Sequence, residues 1–204
     1  KLLQEIFQLE EDTVLKSHKQ LAVSRCLVNY WQIQFRDFNL ANAVVIPCTV
    51  NRVFESVSID SNFIDELRAK MNFTKQDCVL VYSGSHSPWQ SFQLLDGFLT
   101  GVLLKKNNVK VLFLSDENME IKSLKTRFPG RVFSIQVAPK DVPNYLIMGD
   151  FGLMLREQSI TNRVASPVKT AEYLVCGLKV IITEKLGDFS EFVLENQCGM
   201  LVSD

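Results

Sequence analysis

The chain has 204 residues, 47% of them hydrophobic and 22% charged, an ordinary globular composition with enough apolar material for a real core. Lysine and arginine total 22 against 23 acidic residues, so net charge offers no attraction to nucleic acid or to a membrane surface, and any anion site must be local. Five cysteines, an odd number with no C-x-x-C pair, argue against a disulfide framework or a zinc site and for buried thiols in a reducing, cytoplasmic setting.

Residues 1–20 carry an amphipathic helical pattern, with Leu2, Leu3, Ile6, Phe7 and Leu9 set against Gln4, Glu5, Glu10 and Glu11. His18, near its end, reads as a helix-end or surface residue. A short strand is expected at Leu21–Ser24 and a helix from Cys26 to Phe35, with Leu27, Tyr30, Trp31 and Gln34 at helical spacing. Ala43–Pro47 reads as a buried strand stopped by proline. No apolar run approaches the roughly 18 residues of a membrane span, and no signal-peptide pattern opens the chain. Starting inside a helix without a methionine, the sequence is expected to be part of a longer protein.

Residues 51–60 are polar and irregular, an expected linker between residues 1–50 and a second domain at 51–204. A charged helix follows at Asn62–Asn72, with Phe63, Ile64, Leu67 and Met71 inward. Strands are then expected at Cys78–Tyr82, Val109–Leu114, Val132–Ile135, Phe151–Leu155 and Lys179–Thr183, with Met200–Val202 as a further candidate. Helices are expected at about 88–106, 117–127, 139–148, 167–176 and 188–196, between strands too apolar to have a wet face. This alternation predicts an α/β fold with a doubly wound, Rossmann-like parallel sheet covered on both sides. Ligands of such sheets bind beyond the carboxyl ends of the strands, so the loops after Tyr82, Leu114, Ile135, Leu155 and Thr183 are where a site is expected.

The most informative stretch is Asn162–Asp188, NRVASPVKTAEYLVCGLKVIITEKLGD. Ser166 suits an N-cap, Pro167 the first helical position and Gly177 a left-handed terminator. Val168, Ala171, Leu174 and Val175 make the expected inward stripe, which leaves Lys169, Glu172 and Tyr173 together on another face. A helix start beside a lysine and a carboxylate can hold a ligand's phosphates and hydroxyls. The plainer account makes Lys169 and Glu172 a solvated surface pair. The string S-P-x-K-x-x-E-Y-L-x-x-G-x-x-V-I followed by Gly187-Asp188 resembles the C-terminal domain of GT-B-fold glycosyltransferases that build cell-surface polysaccharides. Val45-Ile46-Pro47-Cys48-Thr49-Val50 is similar to that family's V-I-P-N-G-V strand, with Cys48-Thr49 in place of Asn-Gly.

The resemblance implies a nucleotide-diphosphate-sugar donor, with Glu172 on the ribose hydroxyls and Ser166, Lys169 and the helix start facing the diphosphate. Gly84 and Ser85 would approach the diphosphate, and Gly187 and Asp188 would edge the cleft. Relatives usually carry an Arg or Lys-Gly where this chain has Trp89-Gln90, which shifts weight to the loop backbone, His86 and Lys169. Arg156 closes the strand Phe151–Leu155, where arginine can meet phosphate or a carboxylate; a surface salt bridge with Glu157 or Asp150 explains it equally. The E-x7-E pattern of retaining relatives would place a glutamate at Val164, so Asn162 or Arg156 is expected to meet the sugar instead.

No D-x-D pattern or carboxylate cluster points to a metal, no cofactor is implied, and no Ser-His-Asp or Cys-His set is present. The implied activity is metal-independent, retaining transfer to a glycan or lipid-linked acceptor held by the rest of the protein. Peripheral association with the inner face of the membrane belongs to that picture, and nucleic acid does not. A sugar-nucleotide epimerase of the same shape and a catalytically inactive nucleotide-binding or docking module are the alternatives. The epimerase would place paired carboxylates or a histidine in the cleft, which the sequence lacks.

Overall fold

The structure is a computed structural model that describes residues 2–55, 57, 59–85, 87 and 90–203. The chain opens with α1 (Leu2–Lys16), β1 (Gln20–Ala22), α2 (Arg25–Gln34) and β2 (Ala43–Val45). β1 and β2 pair in parallel, Leu21 opposite Val44. Val14, Ala22, Val28, Trp31 and Phe35 form a small core of their own beneath them. Ser24 starts α2 as its cap, accepting from the Leu27 amide at 2.9 Å.

The first part of the expected linker is more ordered than its polar sequence suggests. Arg52–Phe54 forms a 3-10 turn capped by Asn51, and Phe54 is buried in the main core. Then come α3 (Ser61–Lys70), β3 (Cys78–Ser83), α4 (Phe92–Lys105), β4 (Val109–Leu114), α5 (Met119–Arg127), β5 (Val132–Ser134) and α6 (Val142–Leu146). The chain continues through β6 (Phe151–Met154), α7 (Ile160–Arg163), α8 (Val168–Val175), β7 (Lys179–Thr183), α9 (Phe189–Glu195) and β8 (Gly199–Val202).

β3 to β8 form one six-stranded parallel sheet in the order β5-β4-β3-β6-β7-β8. Side chains alternate between its faces, as strand geometry requires. Val79, Val81, Leu112, Leu114, Val180 and Ile182 pack on the α8 side, with Tyr173 and Cys176. Leu80, Tyr82, Val111, Phe113 and Ile181 pack on the other, beneath Leu95, Leu99 and Leu103 of α4. Both faces are covered, which is why the strands are almost wholly apolar.

The sheet winds outward from β3 in both directions, so its switch point lies between β3 and β6. There the pairing is short. Leu80 pairs with Phe151 and Val81 with Gly152, whereas β3 stays paired with β4 from Cys78 to Ser83. Beyond Val81 the two central strands part, opening a crevice at their carboxyl ends.

Candidate functional site

Tyr173 fills the base of that crevice. Its ring lies directly over Gly152, where a Cβ would stand 2.2 Å from the tyrosine Cγ. Its hydroxyl accepts from the Ser83 amide at 2.9 Å and donates to the Leu153 carbonyl at 3.3 Å, linking the parted strands. Burial and the nearby negative charge of Glu172 raise the pKa of this phenol, so it stays protonated and able to donate.

This geometry corrects the expected orientation of α8. Thr170, Glu172 and Tyr173 are its buried residues, while Val175 is exposed and Val168, Ala171 and Leu174 are half-buried. An aromatic ring over a strand glycine outweighs a stripe of smaller aliphatics. A glycine inside an apolar strand marks a place where something approaches closely, but Gly152 by itself does not say what.

Above Tyr173 lies a cavity of about 740 Å3, walled by Ser83, Gly84 and Ser85 after β3, Arg156 after β6, and Pro167 to Lys169 with Glu172 on α8. Asn51, Val53 and Phe54 close one side, and Val137, Pro139, Lys140 and Val142 another. The contribution of the linker residues was missed in the sequence, because a polar stretch gives no sign of what it packs against.

Arg156 is only 9% exposed, and among the described residues it has no ion-pair partner; its Nε is buried without a hydrogen bond. The surface-salt-bridge account fails, since Asp150 pairs with Arg68 at 3.5 Å and accepts from the Val79 amide at 2.7 Å. Burial lowers the Arg156 pKa, with the hydroxyls of Tyr82 and Tyr173 opposing, yet a guanidinium keeps its proton. The Arg156 backbone is held in place by Thr183, whose hydroxyl accepts from its amide and donates to its carbonyl.

Lys169 and Glu172 do pair, at 2.7 Å, but not as a solvated surface pair. Side-chain exposure is 29% for the lysine and 8% for the glutamate. The helix start is also different from expectation. Pro167 takes the cap position with no side-chain cap, and α8 opens one residue later, at Val168. The amides of its first turn therefore have no side-chain cap, and Pro167, Val168 and Lys169 line the cavity. Among the described lining residues Lys140, Arg156 and Lys169 are basic and Glu172 alone is acidic, a charge balance suited to an anion that also carries hydroxyls.

No protein-family model and no curated protein matches the chain. Solved structures do. The chain is similar to WaaG, a glycosyltransferase involved in lipopolysaccharide biosynthesis, with a TM-score of 0.74 and 13% identity over 100% of this chain and 55% of that one. It is similar to HepE from Anabaena, solved in complex with UDP-glucose, with a TM-score of 0.73 and 17% identity over 98% of this chain and 54% of that one. A glycosyltransferase from Rickettsia africae superposes with a TM-score of 0.70 and 16% identity over 98% and 52% of the two chains. The fold is that of the GT-B glycosyltransferases. The chain spans about half the length of these structures.

Within this GT-B half, the structure brings Gly84, Ser85, Arg156, Lys169 and Glu172 to one cavity. His86, like Trp89, lies outside the described residues. The other expected site residues do not line this cavity. Asn162 is buried in α7 and donates through Nδ2 to the Glu157 carbonyl at 2.9 Å, shaping the loop that follows Arg156. Ser166 does not cap α8; its Oγ accepts from the Cys48 amide at 3.1 Å. Asp188 accepts from the amides of Arg25 at 2.6 Å and Cys26 at 3.0 Å, so it caps α2 across the chain. Gly187 has φ +51°, and a Cβ there would stand 1.8 Å from the Ala165 carbonyl oxygen. It lines a second cavity of about 660 Å3 between α2, α7 and α9, not the one that holds Glu172.

Ser24 completes this seam, donating to the Val164 carbonyl at 2.6 Å. Val164, where relatives would carry a glutamate, therefore stands at the junction with α2. A Gly-Asp loop after a strand looks the same in sequence whether it faces a ligand or a neighbouring helix. Among the described residues no cluster of His, Cys, Asp and Glu could hold a metal, and no helix is long and apolar enough to cross a membrane.

Proposed function

We propose that the chain binds the nucleoside diphosphate part of a nucleotide-sugar donor, as the donor-binding part of a metal-independent, retaining glycosyltransferase. The observation that carries this reading is the meeting of Arg156, Lys169 and Glu172 in one cavity at the switch point of the sheet. Glu172 takes the ribose hydroxyls. Arg156, Lys169 and the uncapped start of α8 take the diphosphate, with the Gly84-Ser85 backbone close by. Val137, Pro139 and Val142 border the nucleobase. As the sugar leaves, negative charge grows on the diphosphate, and the cations on the cavity wall stabilise that charge. Arg156 and Lys169 supply what a divalent metal would otherwise supply.

Residues 51–204 form the donor domain in this reading, and residues 1–50 the tail of an acceptor domain. The separate small core around Trp31 supports that division. The glycan or lipid-linked acceptor, and any contact with the inner face of the membrane, belong to the whole protein. Thermal unfolding with UDP-, GDP- and ADP-sugars, each with and without EDTA, tests the reading. One donor class is expected to stabilise the chain, by about 2.7 kcal/mol at a hundredfold excess over Kd, with no loss on chelation. No shift with any donor overturns the nucleotide site, and a shift abolished by EDTA overturns metal independence.

A further inference from the structure

We propose that Lys169 is a transferable counter-ion: it neutralises Glu172 in the empty site and passes to the phosphates when a nucleoside diphosphate enters, so that the site discriminates against a bare nucleoside. The inference rests on the nucleotide site proposed above and adds a selectivity device to it. Lys169 Nζ stands 2.7 Å from Glu172 Oε2, so the ammonium occupies one of the two oxygens that a pair of ribose hydroxyls would use. The glutamate is the fixed partner. It lies on the buried face of α8 between Thr170 and Tyr173, and its side chain is only 8% exposed. The lysine is the mobile one, with a four-carbon stem, 29% side-chain exposure and a place on the same cavity wall.

Removing one member of a buried ion pair leaves an uncompensated charge, which is costly unless another partner arrives. A nucleoside offers hydroxyls to Glu172 but nothing to the displaced ammonium. A nucleoside diphosphate offers both at once, and its anion lies where Arg156 and the α8 start already gather positive charge. Phosphate and ribose recognition are thereby coupled through a single side chain. If the ammonium instead stayed on Glu172 throughout, it would assist both ligands alike, since a carboxylate oxygen has more than one lone-pair direction.

The two accounts differ in sign. The test uses whichever of UDP, GDP and ADP shifts the unfolding of the chain most, together with its own nucleoside, titrated at pH 8 by NMR into wild type and Lys169→Met. Transfer of the counter-ion requires the diphosphate to bind about tenfold more weakly to the variant and the nucleoside to bind several-fold more tightly. A nucleoside affinity that falls or stays constant overturns the inference while leaving the nucleotide site standing. Wild type that binds none of the three diphosphates removes the site and the inference together. A crystal structure of the wild-type diphosphate complex reads the same question without a variant. Lys169 Nζ is expected on a phosphate oxygen, and Nζ still at hydrogen-bond distance from Glu172 overturns the proposal.

Discussion

A Cβ on residue 152 would stand 2.2 Å from Cγ of Tyr173, so β6 admits the α8 tyrosine only because it has a glycine there. The contact sets the height of α8 above the sheet and with it the place of Glu172. Gly152→Ala is expected to cost about 1–3 kcal/mol by overpacking, read from urea unfolding, and to weaken nucleotide binding by displacing α8. Tyr173→Phe keeps the ring but leaves the Ser83 amide and Leu153 carbonyl without their partner, at about 1–3 kcal/mol. Wild-type stability in both variants would mean that the crevice does not depend on this contact.

Arg156 is expected to show a conflict between stability and binding. A buried cation without a counter-ion destabilises the empty protein, and an apolar side chain of similar length removes that cost. Arg156→Met should therefore unfold at the same temperature as wild type or higher, by on the order of 1 kcal/mol in stability. Its affinity for a nucleoside diphosphate should fall about ten- to a hundredfold, and its affinity for the nucleoside far less. Calorimetric scanning and titration of the one variant check both. A clear loss of stability with unchanged binding would make Arg156 a structural residue.

Much of the fold was legible because its signals are local. Alternating apolar runs and helical stripes placed the β3–β8 strands to within a residue or two, and the run from Ser166 to Gly187 carried the resemblance. Pairing of α8 with the sheet was not legible, because it turns on Gly152 and Tyr173, residues 21 apart that meet only in the folded chain. Asp188 shows the same limit from the other side. Its spacing after Thr183 fits a ligand loop, but the groups it binds are the amides of Arg25 and Cys26, far away in sequence. Arg156 was legible as a charge at a strand end, while its burial was not.

Asp188 is expected to act on stability and on its neighbour Cys26, not on nucleotide binding. Removing a capping carboxylate typically costs about 0.5–2 kcal/mol, so Asp188→Ala should lower the unfolding midpoint modestly. Burial, with help from Asp188, pushes the Cys26 thiol up to about 11, which keeps it protonated and slow to alkylate at pH 8. The variant should expose and acidify that thiol, so iodoacetamide should label Cys26 faster, as measured by peptide mass. A tenfold loss of diphosphate affinity with an unchanged labelling rate would return Asp188 to the ligand site.

Glu172 decides the nucleotide reading, because the geometry leaves it two roles. It is the partner of Lys169 at 2.7 Å, and it is the one acidic group among the described residues of the cavity wall. Glu172→Gln keeps the shape, removes the charge and turns one acceptor into a donor. If the carboxylate receives the ribose 2′- and 3′-hydroxyls, the change should cost about 1–3 kcal/mol of nucleoside diphosphate affinity. Wild type should also prefer the ribonucleotide to its 2′-deoxy form, and the variant should lose much of that preference. If Glu172 serves only to neutralise Lys169, the substitution should leave ribose discrimination intact and release the lysine for the phosphates, so affinity should hold or rise. Isothermal titration of ribo- and deoxyribonucleoside diphosphate into both proteins separates the two. Circular dichroism and urea unfolding of the variant ensure that a loss of binding is not a loss of fold. Equal discrimination by a well-folded variant would place the ribose elsewhere in the cavity and leave Arg156 as the remaining anchor of the ligand.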